Sequence, residues 1–360
     1  MRKTVLEVNV TDFKNNINII REYTKDKEIM PVIKANGYGT FINTKVDLLN
    51  EFNIVAVALV DEAIFLREIG YKNDILVLNQ PDIHEISLIN KYNITIGLSD
   101  KSFLDEMIRY NKHFVVHLEI ETGMNRTGIS LDDLDYFIGL IKNSNIEIEG
   151  VYSHLSSADF DENYTLKQIN VFKNALEIIN KNKINVKYIH LSASNGILKY
   201  EPLPFTNMVR PGLIMYGYEP FRGSTNIINT KPICKLKSTI TFIKEVPKGT
   251  AISYSQKYIT KENKVIATIP IGYGDGFRRC LSNSGCVLIN GVKAPIVGTI
   301  CMDSFMVDVS HIDNVSVGDE VILFDNENIT LDDIALKCNT INYEILCNLN
   351  SRIPRLFIEE

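Results

Sequence analysis

Residues 31–40 read PVIKANGYGT. Pro-Val-Ile is the end of a buried strand, and Asn-Gly with Tyr-Gly opens a turn, so Lys34 stands where the strand stops. A lysine against apolar neighbours costs several kcal/mol as a free cation unless its charge is paired or removed, and it ordinarily snorkels to solvent. A lysine kept in this position needs a chemical reason.

Working outward, IMPVIKA (29–35) is the first of eight apolar, strand-like runs. The others are IVAVALV (54–60), ILVLN (75–79), ITIGLS (94–99), FVVHLEI (114–120), IEGVYSH (148–154), YIHLSAS (188–194) and MVRPGLIMYG (208–217). Helix-length amphipathic segments such as 61–69 and 131–142 lie between most of them, and 11–23 precedes the first with Thr11 as its expected N-cap. This alternation predicts parallel strands with crossover helices. Eight such units in roughly 220 residues, with no G-x-G-x-x-G after the first strand, predict an α/β fold built on a (β/α)8 TIM-type barrel. Chemistry in that architecture sits at the C-terminal ends of strands, where Lys34, His154, Ser194 and Arg210 fall.

From about Cys234 the texture changes to β runs separated by turns, with a hairpin signal at Asn290-Gly291. The expected division is a barrel over residues 10–225 and a mainly-β domain from residues 1–9 and 226–360, with the boundary in the polar, proline-bracketed stretch 220–232. Formal net charge is 38 − 44 = −6 with no long block of one sign, which points away from nucleic acid and anionic membranes and toward small molecules. The start, MRKTVLEVNV, lacks the apolar stretch of about 7–15 residues found in a secretory signal, and no run is long enough to span a bilayer. A cytoplasmic protein is expected. The six cysteines, at 234, 280, 286, 301, 338 and 347, show no C-x-x-C and read as reduced thiols. His113 and His117 flank a strand, where i, i+4 spacing does not aim both rings at one metal, so no metal site is expected.

A lysine at a barrel strand's end has three readings: a phosphate-binding cation, a general base, or a Schiff-base former. Tyr38, the Ser194 hydroxyl and the backbone N–H groups of Gly212 and Leu213 in the RPG loop favour a phosphorylated ligand nearby.

The stretches VIKANGYG (32–39), HLEIETGMNRTG (117–128), VYSHLSSAD (151–159), NMVRPGLIMYG (207–217), ISYSQKY (252–258), IPIGYGDGF (269–277), VGTICMD (297–303) and INYEILCN with SRIPR (341–355) resemble, in order and along the whole chain, the motif series of the alanine racemase family. That resemblance implies a pyridoxal 5'-phosphate (PLP) cofactor, a barrel plus C-terminal β domain, and a head-to-tail homodimer with shared active sites. Lys34 matches the lysine that carries the cofactor as an imine and handles the α-proton of the D-isomer. Tyr254 matches the base for the L-isomer, reaching in from the other subunit. A phenol of ordinary pKa near 10 is a poor base at neutrality, and the family's arrangement implies a relay from Tyr254 through His154 to Arg210. Arg210 matches the residue facing the pyridine nitrogen, and Arg126 the one that meets the cofactor's phenolic oxygen and the substrate. Met302, with Tyr273 and Asp303 at the entry, matches the substrate-binding set, and Tyr38, Ser194, Gly212 and Leu213 match phosphate contacts. The glycines of GYGDG (272–276) read as turn-formers.

Two departures from the family bear on the pocket. Glu119 stands where relatives often have a lysine that becomes carbamylated, and carries negative charge toward Arg126 without carbon dioxide. Ser351 replaces a tyrosine that narrows the pocket, removing part of a side chain that typically buries roughly 150 Å² or more. Thr40 and Ala193 also differ, with no functional reading attached. The expectation is an L-alanine/D-alanine racemase feeding peptidoglycan, with a serine or broad-specificity racemase as the alternative. A PLP decarboxylase lacks its glycine-rich loop and cysteine motif here, and a PLP-carrier protein made of the barrel alone leaves the C-terminal third unexplained.

Overall fold

Each of the eight runs overlaps a strand in the computed structural model, which describes residues 3–221, 223–224 and 227–359. After an N-terminal strand β1 (Val5–Asn9) come β2 (Glu28–Ile29), β3 (Ile54–Val57), β4 (Asp74–Val77), β5 (Thr95–Leu98), β6 (Phe114–Glu119), β7 (Ile146–Tyr152), β8 (Tyr188–Ala193) and β9 (Met208–Arg210). Strands β2 to β9 form one sheet in the order β2-β9-β8-β7-β6-β5-β4-β3, with every neighbouring pair parallel. The two ends meet through a parallel bridge between Val32 and Ala56: the Ile33 N–H donates to Ala56 O at 2.9 Å, and the Ala56 N–H to Pro31 O at 2.8 Å. The sheet is therefore a closed barrel. Strand β2 is short because Pro31 has no N–H to give to the ladder.

The chain divides into two compact units: a barrel unit of residues 14–37 and 42–230, and a second unit of residues 3–13, 38–41 and 231–359. Strands β3 and β5 are buried at all four positions, as strands packed on both faces must be. Glycines make room inside the barrel for polar rings. A Cβ on Gly97 would lie 2.1 Å from the Tyr152 hydroxyl, and one on Gly150 within 2.7 Å of three atoms of the His117 ring. Gly150→Ala is accordingly expected to destabilise the protein by about 1–3 kcal/mol, the usual cost of overpacking. Urea unfolding midpoints would measure it, and an unchanged midpoint would mean that the ring shifts freely.

The first helix runs Val10–Thr24, and its cap is Asn9, whose Oδ1 accepts the Asp12 N–H at 3.0 Å. Thr11, the expected cap, lies one residue inside the helix, because the chain leaves β1 directly into its first turn. Helix Leu131–Lys142 follows its expected span, capped by Ser130.

In the second unit β1 joins β10 (Cys234–Thr239), β11 (Phe242–Val246), β12 (Lys264–Ile269), β13 (Cys286–Ile289), β14 (Val292–Val297), β15 (Phe305–Asp308), β16 (Glu320–Phe324) and β17 (Arg355–Ile358) in one sheet. β1 lies between β10, antiparallel, and β17, parallel. Burial alternates along β1 and β10, as in strands with one face on a core. Asn290 and Gly291 turn the β13–β14 hairpin with φ of 49° and 76°. The reading of all six cysteines as thiols is corrected here: Cys280 and Cys338 form a disulfide, with Cα atoms 5.6 Å apart. Their separation of 58 residues carries no motif. Only the meeting of the turn Arg279–Leu281 with the end of helix Leu331–Lys337 pairs them. Cys234, Cys286, Cys301 and Cys347 are not bridged and keep the thiol reading. Among the described residues no helix is long and apolar enough to cross a membrane, and no group of three or more His, Cys, Asp or Glu is placed to hold a metal.

Candidate active site

Lys34 begins a turn of the wrong hand for L-residues. Ala35, Asn36 and Gly37 take φ/ψ of 53°/49°, 53°/47° and 60°/47°, and Tyr38 has φ of 57°. Left-handed backbone costs a non-glycine residue roughly 1–2 kcal/mol, so Ala35, Asn36 and Tyr38 together store several kcal/mol that the surroundings must hold. Glu62, at the start of helix Val60–Glu68, supplies part of that hold. Its Oε1 accepts the Ala35 N–H at 2.5 Å while Oε2 accepts the N–H groups of Ala58 and Leu59 at 2.8 and 3.2 Å. Strain of this kind belongs to functional sites. The Gly37 N–H closes the turn on Ile33 O at 2.9 Å.

Arg210, at the end of β9, is 2% exposed, and its donors are almost all used. NH1 donates to His190 Nδ1 at 2.7 Å and His190 O at 3.0 Å, and NH2 to Ser153 O at 2.6 Å and Leu191 O at 3.2 Å. Nε–H has no partner among the described residues. The guanidinium also lies over the Tyr152 ring, 5.4 Å from its centroid, and that ring stacks on His190. Burial pushes the Arg210 pKa down to about 10, which still leaves it a cation at neutrality. His154 makes no side-chain hydrogen bond among the described residues, so the relay expected from it to Arg210 is not formed. Burial, with the charges of Arg210, Arg126 and Lys34, holds the His154 pKa down at about 3. The barrel rim thus gathers Lys34, Arg126, His154 and Arg210.

Arg126 rides on a loop closed by the bridge between Ile120 and Ile129. Glu121 accepts the N–H groups of Gly123 and Asn125 inside that loop. Gly128 has φ of 126°, and a Cβ there would strike Glu121 N at 2.6 Å, so this glycine is required on both counts. Glu119, at the end of β6, is 4% exposed, with Oε2 lacking any hydrogen-bond partner. Burial raises its pKa, opposed by Thr127 and the charges of Arg126 and Arg210.

Ser194 opens helix Ser194–Tyr200, and its Oγ accepts from the N–H of Gly212 at 3.2 Å and of Ile214 at 3.5 Å. The Leu213 N–H has no acceptor among the described residues. Hydroxyl and amide groups of Ser194, Gly212 and Leu213 therefore cluster between the ends of β8 and β9, a cradle for an anion.

In the second unit Tyr254 opens a short 3-10 turn, Tyr254–Gln256, in which Ser255 and Gln256 have positive φ, as does Ser253 before it. Ser253 Oγ donates to Thr299 O at 2.5 Å and Thr299 Oγ1 to Tyr254 O at 3.1 Å. Tyr254 is 67% and Met302 53% exposed, and both line a cleft of about 480 Å³ with Ser253, Cys301, Asp303 and Ser304. Asp303 accepts from Arg352 NH2 at 2.8 Å, and Arg352 also pairs with buried Asp275 at 3.4 Å. Tyr273 lines a separate cleft of about 440 Å³ with Asn350 and the Cys280–Cys338 bridge. Gly272 and Gly276 are more than turn-formers, since Cβ atoms there would lie 2.3 Å from Cys301 O and 2.0 Å from Asn348 O. Ser351 is exposed, its Oγ donating to Asn350 Oδ1 at 3.4 Å. Tyr38, also of this unit, is buried 6.0 Å from the Tyr343 ring, and burial raises its phenol pKa. Sequence reading missed Glu62, His190, Tyr152 and Arg352. His190 had one signal: in the run 188–194 it stands four residues before Ser194, on the same side of an alternating strand.

His117 and His190 are fully buried, and burial lowers the pKa of both. With His154, held at about 3, that makes three rings that stay neutral, so below the unfolded value of about 6.5 the unfolded chain takes up three protons that the folded one refuses. The stability these rings contribute is therefore complete above pH 6.5 and is lost as pH falls, by up to about 4 kcal/mol per pH unit. The raised pKa values of Glu119 and Asp74 act in the opposite sense, adding stability as pH falls through them. Urea midpoints at pH 7.5 and 5.5 should differ accordingly, and equal midpoints would mean that the histidines are charged when folded.

The alanine racemase N-terminal domain model matches residues 8–220 and the C-terminal domain model residues 233–357. The alanine racemase of Halothermothrix orenii is 39% identical over 366 residues, covering 98% of this chain and 96% of that one. Among solved structures, the alanine racemase of Clostridium difficile 630 superposes with a TM-score of 0.95 at 34% identity, covering 99% and 96% of the two chains. That of Bacillus anthracis with bound L-Ala-P gives 0.93 at 33%, covering 100% and 96%. With Lys34, Arg210 and the anion cradle at the rim of a parallel barrel and a match along its whole length, the chain belongs to the alanine racemase family of PLP-dependent isomerases.

Proposed function

We propose that the protein interconverts L- and D-alanine by a two-base mechanism. The observation that carries this reading is Arg210: a buried cation with four N–H bonds committed to protein acceptors and only Nε–H left. That group can donate to an aromatic nitrogen but cannot take a proton from it, which suits a pyridine ring kept unprotonated. The residues fit the cofactor in other respects. Ser194, Gly212 and Leu213, with Tyr38, would hold its phosphate, Arg126 and His154 would bind beside its ring, and Lys34 would carry it covalently. PLP bound to a substrate amine supplies an electron sink that acidifies the α-hydrogen. Lys34 then moves the proton on the D face through its neutral amine, which the cationic neighbourhood of Arg126 and Arg210 favours. Tyr254 moves it on the L face, while the Met302 N–H and Arg126 hold the carboxylate, with Tyr273 and Asp303 at the entry. The exposure of Tyr254 and Met302 supports a homodimer in which these side chains complete the partner's site. Such an enzyme makes D-alanine in the cytoplasm for peptidoglycan.

The test is purified protein, which should be yellow, and borohydride should fix the cofactor to Lys34. A colourless protein that cannot be reconstituted with PLP ends this reading. A second reading, racemisation of serine or another slightly larger amino acid, is favoured by the small, exposed side chain of Ser351. Ser351→Tyr should lower the serine-to-alanine ratio of kcat/KM about tenfold, in the range by which a pocket's size discriminates. No preferential loss of serine activity would reject it.

A further inference from the structure

Behind Arg210 the barrel interior holds a line of polar groups with no assigned purpose. His190 Nδ1 meets Arg210 NH1 at 2.7 Å, His190 Nε2 meets His117 Nδ1 at 2.8 Å, and His117 Nε2 meets Glu149 Oε2 at 3.4 Å. Glu149 Oε1 pairs with Lys187 Nζ at 3.2 Å. Both histidines are fully buried, whereas Glu149 is nearer the surface. The ends of this line determine its middle. A guanidinium can only donate, so His190 Nδ1 must present a lone pair and a neutral His190 carries its proton on Nε2. That N–H donates to His117 Nδ1, so His117 is likewise neutral with its proton on Nε2, and that proton goes to a carboxylate that can only accept. Charging either ring would set two donors face to face within the line.

We propose that Glu149 is a positioning residue for the reaction, setting the tautomers of His117 and His190 so that a lone pair always holds Arg210. The proposal rests on the PLP reading above, in which Arg210 Nε–H is the group presented to the ring. Without an acceptor at position 149, His117 is free to carry its proton on Nδ1. His190 then turns a proton toward Arg210 NH1, and the guanidinium loses the contact that aims Nε–H.

The test begins on protein freed of PLP. Nitrogen-15 spectra of its six histidines, assigned by single substitution, are expected to show His117 and His190 neutral and protonated on Nε2. An Nδ1–H or doubly protonated pattern at either ring would overturn the proposal. Failure to bind PLP would sink the functional reading and leave these tautomers as they are. Glu149→Leu is then expected to show a second tautomer at His190, a shifted absorption band with PLP bound, and kcat reduced about 10- to 100-fold with KM little changed. Glu149→Gln, whose amide oxygen still accepts, should recover most of the kcat and the original tautomer. Wild-type kcat in Glu149→Leu, or equal losses in both variants with unchanged tautomers, would reduce the line to packing. If Glu149→Leu does not fold, the wild-type and Glu149→Gln spectra still decide.

Discussion

Lys34→Ala is expected to lose racemisation by on the order of 10⁴-fold or more. One substitution removes two functions: the covalent hold on the cofactor and the base that serves the D face. A loss of that size is about 5 kcal/mol of barrier. Arginine should not rescue it, because a guanidinium stays protonated and cannot accept the α-proton. Borohydride should no longer fix PLP to the chain. The fold should survive, since the Ala35 and Gly37 backbone bonds to Glu62 and Ile33 that hold the turn remain in the variant. Retention of more than about 1% of wild-type kcat in either variant would place the base elsewhere.

Tyr254→Phe should divide the reaction by face. The two enantiomers have equal free energies, so kcat/KM must fall equally in both directions and net rates cannot locate the missing base. Exchange of the α-hydrogen with deuterated water can, because it needs only the base on the substrate's own face. We expect exchange from L-alanine to fall about 10³-fold, within the usual contribution of a general base, while exchange from D-alanine, served by Lys34, changes little. Equal losses in both would assign Tyr254 a binding role. The 3-10 turn carrying Tyr254 is held by Ser253 and Thr299 through hydrogen bonds that do not involve the phenol, so removing one hydroxyl should leave its neighbours in place.

Much of the barrel was legible because its strands are buried on both faces and separated by amphipathic helices, a pattern that survives without knowledge of contacts. The rim residues were legible for the same reason, since a polar side chain at the end of an apolar run is conspicuous. The supporting residues were not. Glu62 looks like an ordinary first-turn acid of a helix until its second oxygen is found on Ala35 N–H. Arg352 is one of many surface arginines until it meets Asp275 and Asp303. The disulfide escaped because pairing depends on the approach of two helical ends, which cysteine spacing does not encode.

The sequence by itself determined the fold class, the place of Lys34 at a strand end, and the family resemblance, because hydrophobic periodicity and short motifs are local properties of the chain. The tertiary structure alone decided where hydrogen bonds go. It turned Arg210 toward His190 instead of His154, lined up His117 with Glu149 through the barrel, and made Gly150 the space that the His117 ring occupies and Gly97 that of the Tyr152 hydroxyl. Donors and acceptors have fixed numbers but choose partners by distance, and residues far apart in the chain become neighbours only when the sheet closes.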